Sequence, residues 1–347
     1  MSNNTPRLKS KKSLPRVLVI VGATSSGKTK LSLMAAREFN GEIINADARQ
    51  IYTGCSIGTG KPPGRRGKYQ GYNAFLVRVP YSFVFEKEGI NPSDPAPDTE
   101  KYFPEIPHYL MDFLPPDQIM SVSIWRERAL KAVRGITARK HLPIMVGGTG
   151  LYVSALIDNF SIPRVPPNPA LRQSFEAQPL NKLVNLLLRM DPTAGGVVDL
   201  KNPRRVIRAL EICTFTGKPI SKLRTRRPPV VDAFQIGIKW PREELRKRID
   251  LAINRMMDEG WPEEVRKLHK NGISWSAPAM TSIGYREMGM YLRGEILLEE
   301  AIKRAKIATY QYAKRQETWF KRDKRIHWAE SDEQAMELIR AWHQAGV

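Results

Sequence analysis

The apolar runs in the first half of the chain are strand-like, and those in the second half are mostly helical. Val17 to Val21 (VLVIV) is a short, unbroken, β-branched run closed by Gly22, the pattern of a parallel strand covered on both faces. Lys28 to Phe39 follows helical spacing, with Leu31, Met34, Ala35 and Phe39 on one side. Glu42 to Ala46 predicts a second strand with Asp47 at its carboxyl end. Leu142 to Val146 (LPIMV) predicts a third, running into Gly147-Gly148-Thr149-Gly150. Strands that end in polar or glycine-rich residues predict an α/β parallel sheet flanked by helices, with its site at the strand ends.

The texture changes between Pro62 and Pro107, which is rich in Gly, Pro and aromatics and opens with Arg65, Arg66 and Lys68. It reads as a surface insertion over about 63–104, with a hairpin around Phe75 to Phe85. Pro163 to Pro169 opens a basic helical stretch reaching about Arg227, a small helical insertion subdomain. Arg242 to Lys270 and Leu297 to Arg322 are long helical segments heavy in Lys and Arg. The expected division is a basic, disordered tail (1–16), a core (17–162), the insertion subdomain (163–227), a C-terminal helical part of the core (228–328) and a tail (329–347). There is no internal repeat, no secretory pattern at the N-terminus and no run of 18 or more apolar residues, so no membrane partner is expected.

Charge changes the picture. Lys+Arg of 56 against Asp+Glu of 35 leaves +21, an excess that favours a polyanionic partner, nucleic acid above all, through counterion release. Two cysteines far apart, Cys55 and Cys213, form neither a disulfide framework nor a zinc site and fit a reducing, cytoplasmic setting.

The specific chemistry begins at Gly22-Ala23-Thr24-Ser25-Ser26-Gly27-Lys28-Thr29, which matches G-x-x-x-x-G-K-[ST] between a predicted strand and a predicted helix. Backbone N–H groups and the helix N-terminus cradle phosphate oxygens, Lys28 supplies a point charge, and the Thr29 hydroxyl can ligate Mg²⁺. The fold class is therefore a P-loop three-layer parallel sheet. The motif alone leaves a nucleotide kinase or ATPase open. Such enzymes usually carry a strand-end Asp for the metal, whereas the third strand here ends without an acid and only Asp47 stands in a comparable place.

A set of strings in order resembles the tRNA dimethylallyltransferase family: Asp47-Ala48-Arg49-Gln50-Ile51-Tyr52, Ile57-Gly58-Thr59-Gly60-Lys61-Pro62, Ile106 to Asp112, Gly147 to Tyr152, Asn202 to Glu211, Thr216 to Pro219, Ile283 to Glu287, and Tyr312 to Gln316 before Thr318-Trp319-Phe320. The resemblance implies transfer of a dimethylallyl group from dimethylallyl diphosphate to the exocyclic amine of a tRNA adenosine, conventionally position 37, by a cytoplasmic and usually monomeric enzyme. The loop would then hold diphosphate as leaving group, and the positive charge would hold tRNA.

Matching positions makes Asp47 the general base, with Lys28, Thr24 and Thr29 neutralising diphosphate and Thr149 near the reacting centre. Contacts to tRNA would come from Asp47, Ala48, Arg49, Gln50, Thr149, Arg172, Arg204, Arg205, Arg208, Gly284, Tyr285, Arg286, Lys314 and Arg315, with Tyr312 and Trp319 as stacking candidates. Free adenine nucleotides would need no such basic surface. Three positions depart from the family pattern: Ala48 stands where Ser is usual, Ala252 where Arg is usual, and Tyr310 where a basic residue is usual. Arg248 and Arg255, four back and three ahead of Ala252 on one helical face, could reach the vacated position. The departures also motivate a second reading, a tRNA-binding homologue weakened in catalysis.

Overall fold

The computed structural model describes residues 13–79, 104–161, 163, 165–223, 225 and 227–346. Its strands are β1 (Arg16–Gly22), β2 (Gly41–Asn45), β3 (Gly64–Tyr69), β4 (Tyr72–Arg78), β5 (Glu105–Tyr109), β6 (Leu142–Val146), β7 (Asp232–Ile238) and β8 (Ile326–Ala329). They form one sheet in the order β3-β4-β5-β2-β6-β1-β7-β8. From β5 to β8 all neighbours are parallel, and β3 and β4 add an antiparallel edge.

The unbroken apolar run of β1 follows from burial on both faces. Val17, Val19 and Val21 enter one core, and Leu18 and Ile20 enter the other. Helices α2 (Val122–Ala138) and α3 (Gly150–Ile157) cover the first face, while α1 (Lys28–Glu38) and α12 (Asp332–Gln344) cover the second. A third core joins α8 (Arg242–Asp258), α9 (Trp261–Lys270), α10 (Tyr285–Leu292) and α11 (Leu298–Phe320) to Ile51 and Tyr52, just after β2. Helices α4 (Pro169–Glu176), α5 (Leu180–Met190), α6 (Pro203–Thr216) and α7 (Ile220–Leu223) gather round a core of their own that includes Leu187, Val206 and Leu210.

Three expectations are corrected. The stretch after 328 is not a tail: α12 is N-capped by Ser331 and buries Ala335, Met336 and Ile339 against the sheet. It also anchors the start of β1, because the Arg16 guanidinium donates to Trp342 O at 2.6 Å and lies over the Trp342 ring. The hairpin is β3–β4, earlier than Phe75 to Phe85. Gln70 and Gly71 both have positive φ (46° and 84°), as a two-residue type I′ turn requires. Residues 80–103, with the rest of the expected hairpin, lie outside the described residues. Finally, Arg242 to Lys270 is two helices, broken where Gly260 takes a left-handed conformation.

Candidate active site

The loop after β1, the segment after β2 and the turn after β6 converge on a cleft of about 900 Å³. Thr24, Ser25, Ser26, Gly27, Lys28 and Thr29 line it, while Gly22 and Ala23 form the buried base of the loop. Ser25 and Gly27 have left-handed φ (60° and 97°), and such alternation turns backbone N–H groups towards a common centre. The Ser26 hydroxyl oxygen is buried without a hydrogen-bond partner. A buried unpaired hydroxyl inside a phosphate loop is a donor waiting for an acceptor. Lys28 Nζ donates to Ala23 O at 2.5 Å. Burial pushes its ammonium down to about 8, partly opposed by the Asp47 carboxylate.

Asp47 stands across the cleft from the loop. Its Oδ1 accepts the Arg49 N–H at 2.8 Å in a local turn, and its own N–H donates to Asn45 Oδ1 at 3.1 Å. Thr149, the residue before α3, accepts the Ala48 N–H through Oγ1 at 2.9 Å and donates its own N–H to Ala46 O at 3.1 Å. It therefore clamps the backbone on both sides of Asp47. Arg49 donates to Pro278 O, and Gln50 donates to Thr59 O and Gly60 O.

Three side chains that hold the cleft together, Gln316, Trp240 and Glu264, were given no role by motif reading. Gln316 on α11 accepts the Thr24 N–H through Oε1 at 2.8 Å and donates through Nε2 to Gly148 O at 3.0 Å. It is 4% exposed and ties the phosphate loop to the turn that holds Thr149. A Cβ on Gly148 would stand 2.0 Å from Gln316 Nε2, so the glycine is required by close approach. Trp240 Nε1 donates to Ser26 O at 2.9 Å, and the Arg248 guanidinium stacks 3.6 Å from the centre of the Trp240 ring. Glu264 accepts three consecutive backbone N–H groups, Ser56, Ile57 and Gly58, plus the Tyr285 hydroxyl. That carboxylate holds the Ile57 to Gly60 wall of the cleft.

Arg248, Ala252 and Arg255 line the cleft together, as does Arg315, whose guanidinium faces Tyr312. Lys314 is exposed on α11, and Arg204 and Arg205 are exposed on α6, with Arg205 3.5 Å from Asp199. Five other expected tRNA contacts have partners within the chain. Arg172 and Arg208 converge on the buried Glu211 carboxylate, which stabilises the α4–α6 packing and uses their charge internally. Tyr285 is 1% exposed, with its hydroxyl on Glu264, so its ring cannot meet RNA. Gly284 caps α10 through its N–H to Glu287 Oε2 at 2.6 Å. Arg286 stays exposed but pairs with Glu287.

Fold and site define a P-loop-type fold in which the Gly22 to Thr29 loop and a strand-end carboxylate share one cleft. Comparison narrows that class. Family models described as IPP transferase and isopentenyl transferase match residues 95–323 and 15–71. A tRNA dimethylallyltransferase of Roseiflexus sp. (strain RS-1) is 35% identical over 95% of this chain and 99% of its own. One from Acetivibrio thermocellus is 38% identical over 92% and 93%. The solved tRNA isopentenylpyrophosphate transferase of Bacillus halodurans superposes with a TM-score of 0.62 at 32% identity, covering 95% of this chain and 96% of that one. The chain belongs to the tRNA dimethylallyltransferase family.

Proposed function

We propose that Asp47 takes the proton from the exocyclic amine of a tRNA adenosine, conventionally position 37, as that nitrogen attacks dimethylallyl diphosphate. The chain is a prenyltransferase that modifies tRNA, and the proposal assigns its residues. One N–C bond forms and one C–O bond breaks. Diphosphate leaves with the bonding pair and stays in the Gly22 to Thr29 loop, and the amine proton passes to the carboxylate. The observation that carries this reading is the shared cleft, in which Asp47 faces the Lys28 loop and is braced by Thr149.

The loop supplies most of the stabilisation, because charge develops on the departing oxygens. Lys28 and Thr29, which line the cleft with the loop, would neutralise those oxygens together with N–H groups at the start of α1. Mg²⁺ would add charge neutralisation. The ion would be held by the Thr29 hydroxyl and the donor's own phosphate oxygens, as the loop pattern implies. Arg248 pairs with Glu244 at 3.2 Å as Arg255 does with Glu259, but it fits the part of the Arg usual at 252 because it is half as exposed and Trp240 docks it against the loop. Arg255 is 71% exposed and pairs with Glu259. A cleft completed within one chain supports action as a monomer, and two buried free cysteines suit a reducing compartment.

The test is Asp47→Asn with dimethylallyl diphosphate, Mg²⁺ and an unmodified tRNA bearing adenosine at that position, read by nucleoside mass spectrometry. Turnover should fall about 10²–10⁴-fold, the usual worth of a general base, with donor binding retained. Unchanged turnover would remove Asp47 from the role.

A further inference from the structure

A second cavity, of about 780 Å³, adjoins the cleft at the end of β5, where His108 and Met111 line both. Its walls are the β3–β4 hairpin and α2. The hairpin's own register fixes its orientation. Phe75 stands opposite His108 and Arg78 opposite Glu105, so the chain from Phe75 back to the Gln70–Gly71 turn runs towards the carboxyl end of β5. That is the edge of the sheet from which Asp47 projects. The cavity thus meets the cleft at His108 and Met111 on that edge and extends along α2 to Arg139, which Glu42 near the start of β2 holds.

The lining is strongly basic. Arg66 and Lys68 come from β3, Arg128 and Lys131 from α2, and Arg139 from the end of α2. Asp112 is the one carboxylate residue among the described lining residues, and it is already engaged by the buried Lys61 as well as by Arg66 at 3.3 Å. Arg139 is held by Glu42 at 2.6 Å. Lys68, Arg128 and Lys131 have no carboxylate partner among the described residues. Along α2 the exposed cations Arg128, Lys131 and Arg134 recur every three residues, which places them on one side of the helix about 4.5 Å apart along its axis. Tyr72, 47% exposed, carries the Arg139 guanidinium over its ring at 4.6 Å.

Cations without a carboxylate partner, from separate segments lining one cavity whose single acid is already satisfied, suit an anion. A small anion would need one or two of them; an extended backbone uses several. We propose that the β3–β4 hairpin and α2 form a second RNA grip. It would hold backbone phosphates of the same tRNA whose adenosine enters the cleft, and so stabilise the backbone while that base is drawn out of its stack. This proposal rests on tRNA being the substrate.

The test compares the full chain with a Lys68→Glu/Arg128→Glu/Lys131→Glu variant, using unmodified tRNA. Dissociation constants would be measured across a salt series, with steady-state kinetics alongside. The variant should bind tRNA at least tenfold more weakly at low salt. Its slope of log affinity against log salt should be shallower by about two, since each lost phosphate contact removes roughly 0.7–0.9. KM for tRNA should rise, with kcat at saturating tRNA and KM for the donor unchanged. If the unaltered chain binds tRNA and the variant matches it in affinity and slope, the grip is refuted. A fall in kcat without a change in tRNA affinity would refute it equally. Failure of the unaltered chain to bind tRNA would instead sink the substrate reading.

Discussion

Gln316 makes a demanding test of how the cleft is held together, because it touches neither the proposed base nor the proposed site of bond breaking. Gln316→Ala removes the hydrogen bond to the Thr24 N–H and the one to Gly148 O. Each bond is worth about 1 kcal/mol net, and each buried group left unpaired costs about 1–3 kcal/mol. With water satisfying one of the two freed groups, the expected loss of stability is roughly 2–4 kcal/mol, seen as a fall of several degrees in melting temperature. The larger effect should be kinetic. The bridge sets the distance between the diphosphate loop and the turn whose Thr149 braces Asp47, and a misplacement of about 1 Å costs on the order of 10²-fold. Gln316→Glu separates the terms: it keeps the volume and the acceptor for Thr24 N–H. It also sets a carboxylate oxygen against Gly148 O and puts negative charge beside the phosphates. Steady-state assays at a temperature where all forms are folded should show kcat down about ten- to a hundredfold in Gln316→Ala, and a greater rise in donor KM in Gln316→Glu. If Gln316→Ala melts earlier yet keeps kcat and donor KM within about twofold, the bridge is only a stabilising contact and the positioning argument is wrong.

Two further outcomes follow from the same geometry. Lys28 is lowered to about 8 in the donor-free chain, so donor binding measured by calorimetry should be steady below that pH and weaken above it as the ammonium is lost, by up to tenfold per unit. The donor-free fold should gain stability between about 8 and the ordinary lysine value, because there the unfolded chain binds the extra proton. Lys28→Met should abolish both trends, and a wild-type profile in that variant would refute the assignment. Arg248→Ala should slow prenyl transfer about tenfold or more, as loss of one cation from a charge-developing site does, while Arg255→Ala should slow it little. The reverse order would place the compensating charge on Arg255.

Local features were legible without the fold. The phosphate loop announced itself through spacing and through its place between a strand-like and a helix-like run, and Asp47 through its position at a strand end. β1 and β6 could be read because a strand covered on both faces must be apolar throughout. Expectations failed where the deciding contact is distant in sequence. Arg172 and Arg208 looked like free cations until folding placed Glu211 between them. Tyr285 looked like an RNA contact until Glu264, 21 residues away, took its hydroxyl. Residues beyond 328 looked like a tail because three buried positions in a short helix say little until the sheet face they cover is known.

By itself, then, the order of residues determined three central parallel strands, the loop pattern, the candidate base and a net charge suited to RNA, since these depend on local periodicity, short spacing and totals. Only the tertiary structure decided that Gln316 links that grip to the Asp47 frame, that Trp240 docks Arg248 on it, and which arginines remain free for a polyanion. Each of those depends on which side chains meet across long separations in sequence, and burial and pairing are properties of the packed chain.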